Sequence, residues 1–137
     1  MTTVLITGAS GGIGRATAET FAKAGWDILL VSREESSLES LANDLRTENV
    51  QVFYKAIDFS QPKLISPGIK ELLDNGLQPS VLINNAGVAW TGELISMPIE
   101  SWKWLIQINL TSVFQICSSV VPKMRKNGGL IINVSSH

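Results

Sequence analysis

The chain contains few of the residues that carry metal, disulfide or nucleic-acid chemistry. Its 137 residues include one cysteine, Cys117, and one histidine, His137, which excludes an internal disulfide and a structural zinc site built from these residue types. The formal net charge is −1 at pH 7, and no basic cluster marks a nucleic-acid surface. No apolar run reaches the length of about 18 residues that spans a membrane, and no basic region precedes the first apolar run. We therefore expect a cytoplasmic protein without nucleic-acid or membrane partners.

The composition is that of a folded domain. Hydrophobic residues make up 45% of the chain and charged residues 17%, which predicts a single globular domain over residues 1–137. Short apolar runs alternate with helical patterns: predicted strands lie at 3–7, 27–32, 50–57, 81–84 and 130–134, and predicted helices at 13–24, 36–47, 69–74 and 99–126. The last helix is either continuous or two helices joined near Asn109. Strands that alternate with helices predict right-handed crossovers and an α/β fold with a doubly wound parallel sheet.

Glycines are concentrated where the first predicted strand meets the first predicted helix. Residues 7–14 read TGASGGIG. Glycine allows a sharp turn and a close approach of the backbone to a ligand, and the start of a helix offers free N–H groups and a partial positive charge to an anion. The segment therefore predicts a cradle for the pyrophosphate of a dinucleotide, or alternatively a tight packing turn. Its spacing, Gly-x3-Gly-x-Gly, differs from the Gly-x-Gly-x2-Gly of the most common dinucleotide fingerprint.

Three further motifs follow in order along the chain. They are Asn-Asn-Ala-Gly at 84–87 after an apolar strand, Asn-Leu at 109–110 inside the long helix, and Ile-Ile-Asn-Val-Ser-Ser at 131–136. Together with the glycine segment, these motifs resemble those of the short-chain dehydrogenase/reductase family, over essentially the whole chain. The resemblance implies a Rossmann-like dinucleotide-binding domain and an oxidoreductase that transfers hydride between a nicotinamide and a carbonyl or alcohol.

The resemblance also implies where the cofactor would lie. The glycine segment would surround the pyrophosphate, Asp58 and Phe59 would lie at the adenine, and the motif at 84–87 would lie beside the adenosine ribose. An aspartate in the position of Asp58 is also common where a chain turns or a helix is capped. The cofactor-binding residues implied in these three segments are Gly8, Ser10, Gly12, Ile13, Gly14, Asp58, Phe59, Asn85, Ala86 and Gly87.

Ser32 ends the second predicted strand and Arg33 follows it, at a position where the resemblance implies contact with the same ribose. An NAD-dependent enzyme usually has a carboxylate here, which binds the ribose hydroxyls and repels a 2′-phosphate. Serine removes that repulsion, and arginine forms charge-assisted contacts with phosphate. We therefore expect NADP(H) as the cofactor, with the alternative that Arg33 pairs with Glu34 or Glu35 on the surface.

Part of a catalytic site is implied by the same resemblance. A serine hydroxyl would hold the substrate's carbonyl oxygen, and an asparagine on the long helix would position a water molecule. These residues would be Ser136 and Asn109, with Ser135 as the alternative serine and a helix-joining role as the alternative for Asn109. The family's catalytic tyrosine and lysine form a Tyr-x3-Lys motif beyond the serine, which the only tyrosine, Tyr54, does not match. We therefore expect residues 1–137 alone to be inactive.

The last predicted strand, 130–134, is almost entirely apolar. Such composition is typical of a parallel strand that is covered on both faces and has neighbours on both sides, whereas an open apolar edge favours aggregation. We therefore expect a domain that is truncated after the fifth strand, and that a further strand and helix complete in the intact protein.

The sequence is compatible with several functions. The first is an NADPH-dependent reductase or dehydrogenase of small carbonyl or alcohol substrates, which by resemblance would assemble as a homodimer or homotetramer through the long helix. Within that class the substrate could be a 3-oxoacyl thioester, a pterin or a sugar ketone. The alternative from another class is a catalytically silent NADP-binding module or sensor.

Overall fold

The computed structural model describes residues 2–124 and 126–135, which form one parallel sheet with helices on both faces. The strands pair in the order β3-β2-β1-β4-β5, and every pairing is parallel, which confirms the predicted doubly wound α/β fold. Between β1 and β4 the strand order reverses, and ligands of such sheets bind at the carboxyl ends of the strands beside this point. The strands are β1 Thr3–Thr7, β2 Asp27–Ser32, β3 Val52–Ala56, β4 Val81–Asn84 and β5 Leu130–Asn133.

Helices cover both faces of the sheet because β1 and β2 bury side chains in both directions. Along β1, Val4 and Ile6 pack into the core beneath α1 and α2, whereas Leu5 packs into the core beneath α3 and α5. This alternation follows from the two-residue period of a strand. The helices are α1 Gly12–Lys23, α2 Glu35–Arg46, α3 Pro62–Leu73, α4 Ile99–Ile106 and α5 Ser112–Met124, with a short 3₁₀ turn at Leu94–Ser96.

Helix α3 begins at Pro62, seven residues before the predicted start at residue 69, so that boundary is wrong. Pro67 and Gly68 lie inside the helix, although both residue types disfavour helix interiors. Gly68 allows α3 to pack closely on the sheet, because a Cβ atom at this position would lie 2.6 Å from Cδ1 of Ile57. Tertiary packing thus outweighs the local preference, and Pro62 itself occupies a favourable position in the first turn.

The long helix is continuous from Ile99 to Met124 and contains a π-helical turn over Gln107–Thr111. Of the two predicted arrangements, the structure has the continuous one, with a local irregularity at Asn109 in place of a join. The hydroxyl of Ser112 donates a 2.5 Å hydrogen bond to the carbonyl of Ile108. Such π turns commonly occur at functional sites.

Two surfaces of the described residues are apolar and exposed. The 26-residue helix from Ile99 to Met124 is long and apolar enough to cross a bilayer by those two measures alone, with a mean hydropathy of 1.4 in its most apolar 18-residue window. A core helix of a globular protein can meet the same criteria of length and hydropathy, so these criteria alone do not identify a membrane-spanning helix. Strand β5 pairs only with β4 in the described sheet, and its residues Leu130, Ile131 and Ile132 are exposed.

Candidate functional site

A cavity of about 260 Å³ opens at the carboxyl ends of the strands, beside the point where the strand order reverses. It brings together residues that follow β1, β2, β3 and β4 and that lie up to 80 positions apart in sequence. Of the residues predicted to bind the cofactor, seven line this cavity: Gly8, Ser32, Arg33, Asp58, Phe59, Ala86 and Gly87. Four further lining residues were not predicted from the sequence: Ile57, Val88, Trp104 and Ile108.

Trp104 and Ile108 lie one helical turn apart on the long helix. Apolar residues at this spacing are typical of a face that packs on a core, and both side chains do pack against the core beneath α3 and α5. The same spacing therefore cannot reveal that they also form one wall of the cavity. Ile57 and Val88 could have been identified by their positions, because each is adjacent in sequence to a predicted binding residue.

The turns after β1 and β4 are in direct contact with each other. Gly8 adopts a φ of +62°, and a Cβ atom on it would lie 2.9 Å from the backbone nitrogen and Cα of Ala86. The amide of Asn85 donates a 3.1 Å hydrogen bond to the carbonyl of Gly8. The Thr7 hydroxyl accepts hydrogen bonds of 3.0 Å from the backbone N–H groups of both Asn85 and Ala86. Asn85 is thus placed to hold the Gly8 turn and does not itself line the cavity.

The start of α1 also allows a ligand close approach. Gly14 packs so closely on the Gly8 turn that a Cβ atom would overlap the Gly8 carbonyl oxygen. At Gly11 and Gly12, by contrast, no atom from outside the adjoining residues and the helix's own backbone lies within 4 Å of the position of a Cβ atom, so open space faces the first turn of the helix. The side chain of Ile13 is 63% exposed. Gly12, Ile13 and Gly14 do not line the cavity, but the free N–H groups of a helix start suit an anion.

Ser10 reaches the cavity through Ser32. Their hydroxyl oxygens lie 2.6 Å apart, which joins the glycine segment to the end of β2. The hydroxyl of Ser32 is thus oriented by a partner on the glycine segment.

Arg33 lies at the mouth of the cavity, and its side chain is exposed. The alternative of a pair with Glu34 or Glu35 is not observed: none of the ion pairs among residues 2–124 and 126–135 involves Arg33. Arg15, in contrast, forms 3.0 Å ion pairs with Glu19 and Asp44 and does not line the cavity. Arg33 thus remains available to an anionic ligand.

Asp58 turns the chain after β3 and also lines the cavity; its contact with an adenine stays a prediction. Its carboxylate accepts hydrogen bonds from the Ser60 hydroxyl at 2.7 Å and from the Ser60 backbone N–H at 3.0 Å, as expected of an aspartate that turns the chain. These bonds hold the pKa of the Asp58 carboxyl below its usual range, and the nearby charge of Arg33 acts in the same direction. Asp58 also lines the cavity, where it is ionised at neutral pH and accepts hydrogen bonds.

Asn109 lies in the π turn and is bound to the segment that follows β4. Its side-chain amide donates a 2.8 Å hydrogen bond to the carbonyl of Val88 and accepts another, also of 2.8 Å, from the N–H of Val88. The side chain therefore has a structural partner, which the sequence did not reveal. The other predicted catalytic residue, Ser136, lies outside the described residues, whereas the alternative, Ser135, is exposed and lies two residues after β5.

Replacement of Asn109 by alanine removes both bonds to Val88, and we expect it to lower the free energy of unfolding by about 1–3 kcal/mol. Urea unfolding of the protein expressed from its complete reading frame measures the change. Asn43→Ala is the matched control, because Asn43 is an exposed helical asparagine whose amide oxygen bonds only to Arg46 on its own helix. Equal destabilisation by the two variants would show that the two hydrogen bonds between Asn109 and Val88 do not stabilise the fold.

No group of three or more histidine, cysteine, aspartate or glutamate side chains is placed to hold a metal ion within residues 2–124 and 126–135. The ends of β4 and β5 are joined instead by an amide pair, since Asn84 donates a 2.9 Å hydrogen bond to the side-chain oxygen of Asn133. The cavity itself offers a cation at Arg33, hydrogen-bonding groups at Ser32 and Asp58, and an apolar wall of Ile57, Trp104 and Ile108.

Comparison with known proteins is consistent with this geometry. Residues 2–137 match the family model described as short chain dehydrogenase. The chain is 31% identical to serine 3-dehydrogenase of Rhizobium radiobacter, with 98% of this chain and 53% of the relative covered, and 31% identical to a 3-oxoacyl-[acyl-carrier-protein] reductase of Chlamydia muridarum, with 96% and 54% covered. It thus spans about half the length of these relatives.

Solved structures match as well. An alcohol dehydrogenase from the archaeon Thermococcus sibiricus, solved with 5-hydroxy-NADP, superposes with a TM-score of 0.94 at 30% identity; the match covers 99% of this chain and 58% of that chain. Other matched structures hold NADP or NADPH.

Proposed function

Since the chain belongs to the short-chain dehydrogenase family, we propose that it forms the NADP(H)-binding part of an oxidoreductase whose substrate is a small carbonyl compound or alcohol. The observation that carries the proposal is the cavity itself. Gly8, Ser32, Arg33, Asp58 and Gly87 come from four different strand ends and line one space. The relatives are about twice as long as the 137-residue chain, so the substrate and the activity are proposed for the whole protein.

The residues present fit an extended dinucleotide. The open space before Gly11 and Gly12 suits a pyrophosphate, because the helix start supplies N–H groups there. The apolar wall of Ile57, Trp104 and Ile108 suits a planar adenine at the other end of the site.

NADP(H) is favoured over NAD(H) by Ser32 and Arg33. A carboxylate at the end of β2 would repel a 2′-phosphate, whereas the hydroxyl of Ser32 does not, and the guanidinium of Arg33 is not engaged by a described carboxylate. The matched structures that hold NADP or NADPH support the same choice.

The reaction that we propose is reversible hydride transfer, for which the nicotinamide supplies or accepts the hydride when it is bound. Ser136 would donate a hydrogen bond to the substrate's carbonyl oxygen. Asn109 would contribute by holding Val88, which lines the cavity. A phenol with an unperturbed pKa near 10 is a poor base at neutral pH, so a tyrosine acting as the proton donor and acceptor would need a neighbouring cation to lower its pKa.

The test uses the protein expressed from its complete reading frame. Calorimetric titration with NADPH and NADH measures cofactor binding, and the absorbance of NADPH at 340 nm measures turnover. We expect NADPH to bind at least about tenfold more tightly than NADH, which corresponds to about 1.4 kcal/mol, and ketone-dependent oxidation of NADPH. Absence of dinucleotide binding would refute the proposal.

Two alternatives have different outcomes in the same assays. Binding of NADPH without turnover of any carbonyl substrate would favour the silent module or sensor. A 3-oxoacyl thioester is included among the substrates because two of the relatives are named 3-oxoacyl-[acyl-carrier-protein] reductase. We further propose a cytoplasmic homodimer or homotetramer that uses the apolar, exposed Leu110 and Phe114 of the long helix; sedimentation equilibrium measures the assembly.

A further inference from the structure

Two glutamines on the long helix hold the segment that connects β3 to α3. The side-chain amide of Gln107 donates a 3.1 Å hydrogen bond to the carbonyl of Phe59 and a 3.2 Å hydrogen bond to the side-chain oxygen of Gln115. The amide of Gln115 in turn donates a 3.1 Å hydrogen bond to the carbonyl of Pro62. Since a side-chain amide carries two N–H groups, Gln107 uses its full donor capacity. One helix thus holds both ends of segment 59–62.

The same segment is fixed from within by Asp58. Its carboxylate accepts hydrogen bonds from Ser60, and its carbonyl accepts one of 3.1 Å from the N–H of Gln61. Asp58 and Phe59 line the cavity, whereas Gln107 and Gln115 do not. The glutamines therefore act on the cavity only through the backbone of the segment.

We propose that Gln107, oriented by Gln115, is a positioning residue that sets the wall of the cofactor site at its adenine end; the proposal rests on the function proposed above. A loop that is held at only one side samples more conformations. If the ligand binds only one of these conformations, its apparent affinity falls in proportion to the fraction of molecules that adopt it. The long helix thus positions two loops of the site, because Asn109 holds Val88 and Gln107 holds Phe59. Both residues lie in the π turn.

The test is the variant Gln107→Leu in the protein expressed from its complete reading frame. The probes are NADPH and 2′,5′-ADP, which is the adenosine half of NADP without the nicotinamide. Loss of the bond to Phe59 is expected to weaken binding of both probes by the same factor, about three- to tenfold, which corresponds to one ordinary hydrogen bond. The kcat at saturating NADPH is expected to stay at the wild-type value, because the nicotinamide end is untouched.

A second variant and a control complete the design. Gln115→Leu removes the acceptor that orients Gln107 and is expected to weaken both probes by a smaller factor; it decides the matter alone if Gln107→Leu does not fold. Ser119→Ala, on the same helix, removes only a long 3.5 Å contact with Ser66 and a bond within the helix, and is expected to change neither affinity.

The outcomes separate this inference from the function on which it rests. Wild-type protein that binds neither probe refutes the cofactor site itself. Wild-type protein that binds both, together with folded variants that bind them equally tightly, refutes the positioning role. A fall in kcat that accompanies the loss of affinity would also refute it, because a general disturbance of the fold would then explain both.

Discussion

Replacement of Arg33 by alanine is expected to weaken NADPH binding by about one to two decades while leaving NADH binding nearly unchanged. Hydrogen bonds to charged groups contribute roughly 1.5–3 kcal/mol, and each decade of affinity corresponds to about 1.4 kcal/mol. The side chain of Arg33 is exposed at the cavity mouth. A 2′-phosphate that binds there would therefore gain a full charge-assisted contact, which NADH lacks.

Arg15→Ala is the matched control for this prediction. Arg15 carries the same charge near the glycine segment, but it is paired with Glu19 and Asp44 and does not line the cavity. Calorimetric titration of both variants with NADPH and NADH is expected to show a selective loss for Arg33→Ala only. An equal effect of the two variants would mean that net charge, and not a phosphate contact, sets the preference.

Ser32→Asp tests the same site by adding a repulsive group. A carboxylate at this position would lie beside the Ser10 hydroxyl, to which Ser32 is now bonded, and it would repel the 2′-phosphate while accepting hydrogen bonds from a ribose diol. We expect the variant to favour NADH over NADPH. Retention of the wild-type preference would show that the 2′-phosphate binds elsewhere.

Replacement of Gly14 by alanine is expected to cost about 2 kcal/mol of stability and at least about a decade of NADPH affinity. Alanine is favoured over glycine within a helix by about 1 kcal/mol, so local propensity predicts the opposite sign. The Cβ atom, however, would overlap the carbonyl oxygen of Gly8 and lie 2.8 Å from the amide nitrogen of Asn85. Overpacking costs about 1–3 kcal/mol or more, and neither a backbone carbonyl nor its bonded amide can move without shifting the Gly8 turn.

Gly11→Ala is the matched control for stability. Gly11 is extended, with a φ of −159°, and no atom lies within 4 Å of the position of its Cβ. The expected cost is at most about 1 kcal/mol, as for alanine in place of glycine at a helix N-cap. Urea unfolding of the two variants gives the comparison. If Gly14→Ala proves as stable as the control, the close packing of α1 on the Gly8 turn is not required.

The order of strands and helices was predictable because it follows from local patterns of apolar and polar residues. Apolar runs such as 3–7 and 81–84 are short and bounded, and the segment 7–14 joins strand to helix with glycines that suit its backbone. The start of α3 was not predictable, because Pro67 and Gly68 signal a helix end in isolation. The close packing of Gly68 on Ile57, eleven residues earlier in the chain, outweighs that signal.

The sequence by itself determined the alternation of strands and helices, the glycine segment and the likeness of its motifs to one family, since each of these features depends on residues that are close together along the chain. Only the tertiary structure decided which side chains meet. It left Arg33 unpaired among the described residues while Arg15 is paired, bonded Asn109 to Val88, and placed Trp104 on the cavity wall. Those contacts join segments that are 20 to 30 residues apart in the sequence, as between Arg15 and Asp44 or Asn109 and Val88. Their geometry depends on how the helices pack on the sheet, and local sequence patterns do not predict that packing.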